Sequence, residues 1–213
     1  MLNAKGSIFD LDGTILDSMG MWMDIDIRFL REHGIRATED YSQAVKTMGY
    51  RGAAEYTVAR YGLSLSPEEV IARWSEMADA AYASEIRLKS GAIDYLRCLR
   101  EAGQKLAVAT ALGFSSVESA LSNNRILDLF DVFTMVHEVK RGKTHPDIYL
   151  LAAERLGFPP RDCVVYEDIL PGILAAKSAG FTVCGVYDFS SARDWDRITE
   201  AADHTIADWS DLL

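Results

Sequence analysis

Five short apolar runs rich in β-forming residues punctuate this chain, and their spacing constrains the fold more than any other feature. They are GSIFDL at 6–11, KLAVAT at 105–110, DVFTMV at 131–136, DCVVYE at 162–167 and FTVCGV at 181–186. From the second run onward, about one helix length separates each from the next. The intervening SSVESALSNN, PDIYLLAAERLG and PGILAAKSAG have helical spacing and end on Asn or Gly. That alternation predicts parallel βαβ units in a doubly wound α/β sheet.

The first run breaks the rhythm. More than ninety residues separate it from the second, too many for one crossover. Most of them place apolar residues at i, i+3, i+4, as in MWMDIDIRFLREHG, YSQAVKTMG, AAEYTVARYG and SPEEVIARWSEMADAAYASEI, and Ser66, Pro67 and Glu69 form a helix start. We therefore read an α-helical domain at 17–87, inserted into a sheet domain built from 1–16 and 88–213. The closing TEAADHTIADWSDLL predicts a last helix, an edge strand at 203–206 and a turn.

With 213 residues, 49% of them hydrophobic, the chain can bury one sizeable core and still carry a small inserted domain. Its 32 acidic against 22 basic residues give a net charge of -10, which argues against nucleic acid or an anionic membrane as partner. No window approaches the ~18 apolar residues of a membrane span, and the first residues lack the basic start and apolar core of a signal peptide. The expectation is a cytoplasmic protein, a monomer or weak dimer. Cys98, Cys163 and Cys184 are odd in number, far apart and set in apolar patterns, so they read as core thiols.

Open parallel sheets bind ligands beyond the carboxyl ends of their strands. Those ends carry Asp10 and Asp12 after the first run, Thr110 after the second, Lys143 in the loop after the third, and Glu167 with Asp168 after the fourth. Ile8 and Phe9 deliver Asp10 to the edge of an apolar sheet, where an unpaired charge is expensive and a cation is needed. Each residue also has a plain structural reading. DLDG could open a calcium loop, but the sixth and twelfth places are Ile15 and Met21 instead of Gly and Glu. Thr110 could be a β-branched strand residue, Lys143 a solvated loop lysine, and Asp168 a helix N-cap. Their convergence on one rim favours chemistry.

The motifs DLDGT at 10–14, AT at 109–110, Lys143 with PDIY, and EDILPG at 167–172 together resemble the haloacid dehalogenase superfamily, in the branch with a helical cap inserted after the first strand. The resemblance implies a Rossmann-like core and a Mg²⁺-dependent phosphatase acting on a small phosphorylated substrate. Asp10 would be the nucleophile that forms an aspartyl-phosphate, and Asp12 the acid and then the base. Thr110, with Ala111 and the backbone amides there, would hold the phosphoryl group, and Lys143 would place positive charge on it. Asp10, Asp168, the main-chain carbonyl of Asp12 and, directly or through water, Glu167 would bind Mg²⁺.

Departures from the family pattern carry information too. Asp12 supplies an acid that the dehalogenase and phosphonatase branches lack. Ala111 stands where many relatives have Ser or Asn. KSG at 89–91 replaces Pro-Gly, which predicts a looser return from the cap. KTMGYRGAAEY resembles the cap loop that reaches the active site, with Gly49 and Gly52 allowing a turn; Arg51 would either meet the leaving group or solvate a helix start. Trp22 and Met23 suggest an apolar wall. Two further readings stand beside the phosphatase. One is a β-phosphoglucomutase, whose family members carry a cap histidine and lysine where this chain has Trp22 and, near its last cap helix, Ser84. The other is a non-catalytic scaffold, which would have no reason to keep mutually repelling carboxylates.

Overall fold

The computed structural model describes residue 2, residues 4–45, residue 48 and residues 50–213. The chain divides into two compact units, Met1–Ser18 with Ile86–Leu213, and Met19–Glu85. The sequence reading had put these boundaries at 16/17 and 87/88.

The first unit is a six-stranded parallel sheet of β1 (Gly6–Phe9), β2 (Lys105–Thr110), β3 (Val132–Met135), β4 (Cys163–Glu167), β5 (Thr182–Val186) and β6 (His204–Ile206), in the order β3-β2-β1-β4-β5-β6. All its pairings are parallel, so the fold is a doubly wound, Rossmann-like α/β sheet. β1 and β4 lie side by side with Phe9 opposite Tyr166, and every residue of both strands is buried. The chain moves outward from β1 through β2 and β3, then returns to the other side at β4. The strand order therefore reverses between β1 and β4, where a ligand crevice opens.

Helices cover the sheet. They are α5 (Ala92–Glu101), α6 (Phe114–Asn123), α7 (Asp147–Leu156), α8 (Leu170–Ser178) and α9 (Trp195–Ala201). α7 packs on β1, β2 and β3, and α8 on β4 and β5. On the face of β1 and β4, Phe9 stacks on Tyr166 at 4.5 Å, and Trp209 packs against both rings. The Trp209 indole N–H donates to the Thr14 carbonyl at 3.2 Å, so the last turn of the chain props the segment that follows β1. Cys163 and Cys184 are buried free thiols.

The helical unit contains α1 (Met19–Glu32), α2 (Glu39–Val45), α3 (Tyr50–Tyr61) and α4 (Pro67–Ser84). The helix start read at Ser66 is a full capping box. Ser66 Oγ accepts from the Glu69 backbone N–H at 3.2 Å, and the Glu69 carboxylate accepts from the Ser66 N–H at 2.7 Å. Ile25, Phe29, Val70 and Trp74 supply its buried apolar face. Gly52 lies within α3 instead of forming a turn, and Gly49 falls outside the described residues. α5 had no counterpart in the sequence reading. It begins at Gly91, which has φ +73° and no side chain to cap with, and a Cβ there would come 2.8 Å from the Ser210 nitrogen.

Candidate active site

The apolar run of β1 ends at Asp10, whose N–H still donates to the Tyr166 carbonyl at 3.0 Å as if the ladder continued. The chain then folds sharply. The Leu11 carbonyl accepts from the N–H groups of Thr14, Ile15 and Leu16, and Gly13 takes φ +77°, a conformation a side chain would strain. This turn fixes Asp10 at the strand end. Asp12 is half-buried, and its Oδ1 accepts from Ser18 Oγ at 2.6 Å.

Across the reversal point, β4 ends in Glu167 and Asp168, both buried. One carboxylate oxygen each from Asp10, Glu167 and Asp168 lie within 4.8 Å of one another. Lys143 forms ion pairs with Asp10 Oδ1 and with Glu167 Oε2, the latter at 3.0 Å. Burial pulls the Lys143 ammonium down, but the charges of Asp10 and Glu167 outweigh it and hold the group above its ordinary value. Burial, then the neighbouring carboxylates, push Glu167 and Asp168 above the usual carboxylate range, against the pull of Lys143.

Three carboxylates and one ammonium carry two formal negative charges in excess when all are ionised. Like charges 4 Å apart repel by about 4 kcal/mol at a typical effective dielectric. Glu167 Oε1 and Asp168 Oδ2 are also buried without a hydrogen-bond partner among the described residues. Orphaned carboxylate oxygens in such a cluster are hard donors of the kind a divalent cation takes, so these residues fit a divalent metal ion. Asp168 does not cap α8. The N-cap is Ile169, and Asp168 Oδ1 instead accepts from Thr14 Oγ1 at 3.2 Å, which ties the two strand ends together.

The haloacid dehalogenase-like hydrolase family matches residues 4–180. The chain belongs to that family. It is 32% identical over 203 residues to hexitol phosphatase A of Escherichia coli, covering 93% of this chain and 89% of the relative. It is 32% identical over 176 residues to a phosphorylated carbohydrates phosphatase of Thermotoga maritima, with 81% and 80% covered. A solved Thermotoga maritima structure, provisionally described as a beta-phosphoglucomutase, superposes with a TM-score of 0.85 at 26% identity, covering 95% of this chain and 94% of that one. Phosphoric monoester hydrolase is the enzyme class that fits these relatives.

Not every residue anticipated for this haloacid dehalogenase-like site joins the cluster. Thr110 is buried at the end of β2, and its Oγ1 accepts from the Leu112 N–H at 3.2 Å, which leaves its own hydrogen to donate. Ala111 is exposed just beyond it. Asp12 contributes no side chain to the carboxylate cluster. Arg51 lies on α3, where Glu55 at 3.1 Å and Glu68 at 2.6 Å hold it, so an anionic leaving group would have to displace a carboxylate to reach it. Trp22 packs edge-on against Tyr50, and Ser84 Oγ donates to the Ala80 carbonyl; the side chain of Met23 lies outside the described part of the structure.

The expected loose return at KSG is corrected. Lys89 N–H donates to the Ile15 carbonyl at 2.8 Å, and Asp17 N–H to the Arg87 carbonyl at 2.9 Å, so the outgoing and returning strands of chain are laced together. Lys89 Nζ also donates to the Tyr187 carbonyl at 2.7 Å and pairs with Asp188 at 2.9 Å. Thr14, Ser18 and Trp209 went without a role in the sequence reading. Thr14 and Ser18 were visible beside the DLDG motif as hydroxyls within reach of its acids, whereas Trp209 gave no local signal.

Proposed function

We propose that this chain is a Mg²⁺-dependent phosphatase of small phosphorylated metabolites, with sugar phosphates as its substrate class. One observation carries the reading: Asp10, Glu167 and Asp168 converge at the strand-order reversal with Lys143 paired to the first two, and two of their oxygens have no hydrogen-bond partner among the described residues. The relatives named for hexitol and carbohydrate phosphates support the substrate class.

Asp10 attacks phosphorus through a carboxylate oxygen. A phosphorus–oxygen bond forms to Asp10 as the bond to the substrate alcohol breaks, giving an aspartyl-phosphate. Asp12, in its protonated form, donates to the departing alkoxide oxygen and later removes a proton from the water that attacks the phospho-enzyme. Ser18 holds Asp12 through Oδ1 and so steadies the side chain for this transfer. Thr110 donates to a phosphoryl oxygen while its own oxygen is steadied by the Leu112 N–H. Lys143 meets the negative charge that develops on the transferring group. Asp10, Asp168, Glu167 and the Asp12 carbonyl would hold Mg²⁺, which would supply the positive charge that a phosphate dianion needs to enter among these carboxylates.

Asp10→Asn keeps the shape of the side chain and deletes the nucleophile, so hydrolysis of an aryl phosphate falls by roughly 10³-fold or more. Asp12→Asn instead slows breakdown, and mass spectrometry of that variant given an aryl phosphate detects protein carrying one phosphoryl group. Near-parental turnover by Asp10→Asn sinks the assignment. With β-glucose 1-phosphate and a trace of the bisphosphate, the enzyme releases inorganic phosphate; faster formation of glucose 6-phosphate would establish the mutase instead.

A further inference from the structure

Glu167 is fully buried, and its two oxygens have different surroundings. Oε2 accepts from Lys143 Nζ at 3.0 Å and from the Tyr149 hydroxyl at 3.0 Å. Oε1 is shielded from water with no hydrogen-bond partner among the described residues. A carboxylate is planar, so fixing one oxygen fixes the direction of the other. Lys143 cannot do this alone, because its ammonium is shared with Asp10 and serves the phosphoryl group as well. Tyr149 lies on α7, fully buried, with a rigid ring. Beside this hydrogen bond, Gly172 lies in the first turn of α8. A Cβ at Gly172 would come 2.7 Å from Tyr149 Oη and 2.8 Å from Glu167 Cδ, closer than real side chains approach. The space left by the glycine is thus filled by the Tyr149–Glu167 hydrogen bond.

We propose that Tyr149, in the space left by Gly172, is a positioning residue that holds Glu167 by Oε2 and thereby aims Oε1 at the metal position beside Asp10 and Asp168. The inference rests on the metal reading of this site. It assigns Tyr149 no contact with substrate or metal. Its effect passes through Glu167, as partners of metal ligands commonly act by orienting them.

The test compares Tyr149→Phe with Glu167→Gln in the full-length protein. Two readouts are taken against Mg²⁺ concentration, the thermal unfolding midpoint without substrate and the rate of phosphate release. Tyr149→Phe keeps the ring and removes the hydroxyl, so the half-saturating Mg²⁺ concentration rises by about 10-fold in both readouts, while kcat at saturating Mg²⁺ falls by no more than about 3-fold. Gly172→Ala, which must displace Glu167, shifts the metal titration the same way if it folds, as circular dichroism will show. If Glu167→Gln shifts the titration and Tyr149→Phe does not, the positioning role is overturned while the metal site stands. If neither shifts it, the part of Glu167 in metal binding fails and the proposal fails with it. If Tyr149→Phe lowers kcat with metal affinity unchanged, the tyrosine acts on the reaction by another route and the proposal is wrong.

Discussion

At the rim of the sheet, Asp10 and Glu167 share the ammonium of Lys143 with Asp168 crowded beside them, and all four are shut off from most water. In the helical unit, Arg28, Arg51, Arg60 and Arg73 each meet at least one carboxylate at the surface. The chemistry of the groups is the same and their energetics are not. In the helical unit, hydrogen bonds from Arg73 and Arg28 hold Glu32 and Glu85 below the usual carboxylate range. At the rim, burial and crowding push Glu167 and Asp168 above it. Water screens the first set so well that each pair adds little stability. The second set is stored repulsion, which a folded chain tolerates only where the rest of the structure enforces it.

The largest expected effect follows from the opposite signs of these shifts. A carboxylate raised on folding helps stability below its unfolded value and loses that help as pH rises through its folded value. A depressed carboxylate contributes above its unfolded value and loses the contribution as pH falls. Metal-free protein therefore loses rim stability as pH rises from about 5 to about 8, and Mg²⁺ stabilises it more at the upper end. Asp168→Asn removes one of the crowded charges while keeping an oxygen to accept from Thr14. At pH about 8 it stabilises the metal-free protein by about 1–2 kcal/mol and abolishes most of the gain from Mg²⁺. Urea unfolding with and without Mg²⁺ measures both. A metal-free parent that is most stable at alkaline pH would erase the contrast.

How much of this was legible follows the same division between short-range and long-range causes. Five of the six strands were readable because each is a brief apolar run bounded by polar or turn residues, and the rim residues because they sit at the ends of such runs or, for Lys143, in the loop that follows one. α5 escaped because its N-cap is Gly91, which carries no capping side chain of the kind that Ser66 gives α4. Tyr149 falls within PDIY but reads as core, since a tyrosine at helical spacing announces nothing about the carboxylate it meets 18 residues on. Trp209 props Thr14 from 195 residues away, a contact no local pattern encodes. Lys89 was misread because the loss of a rigid Pro-Gly is visible in sequence, whereas the ion pair and carbonyl that replace it are not.

Lys89 and Asp188 give an intermediate case. Their side chains are 15% and 3% exposed, and although burial pushes Asp188 up, its hydrogen bonds to Lys89 and Ser190 outweigh that and lower it. Lys89→Met keeps most of the apolar stem and removes the charge. Asp188 then keeps its bonds from Ser190 but stays buried without its counter-ion, and the Tyr187 carbonyl loses a donor. The expected cost is about 1 kcal/mol, below that of breaking a fully buried pair. Urea unfolding at neutral pH reads it, and a change under about 0.5 kcal/mol would place this pair with the surface set.

The smallest effect is expected at Arg51, where the comparison is sharpest because a catalytic part was also conceivable. Its side chain is 65% exposed, and Glu55 and Glu68 take both its hydrogen-bonding edges. A guanidinium so placed gains little from either partner, since solvent competes for all three groups and salt screens them. It is also a poor anchor for a leaving group, whose negative charge would meet two carboxylates already in position. Arg51→Ala should therefore shift the thermal midpoint by less than about 2 °C, with a smaller shift still at high salt. In kinetics with a sugar phosphate, kcat/KM should fall by less than about 3-fold, short of what losing a charge-assisted contact to substrate costs. A fall of tenfold or more, confined to substrates with an anionic or hydroxylated leaving group, would move Arg51 from the surface set into the site. It would also mean that Glu55 and Glu68 release it when substrate binds.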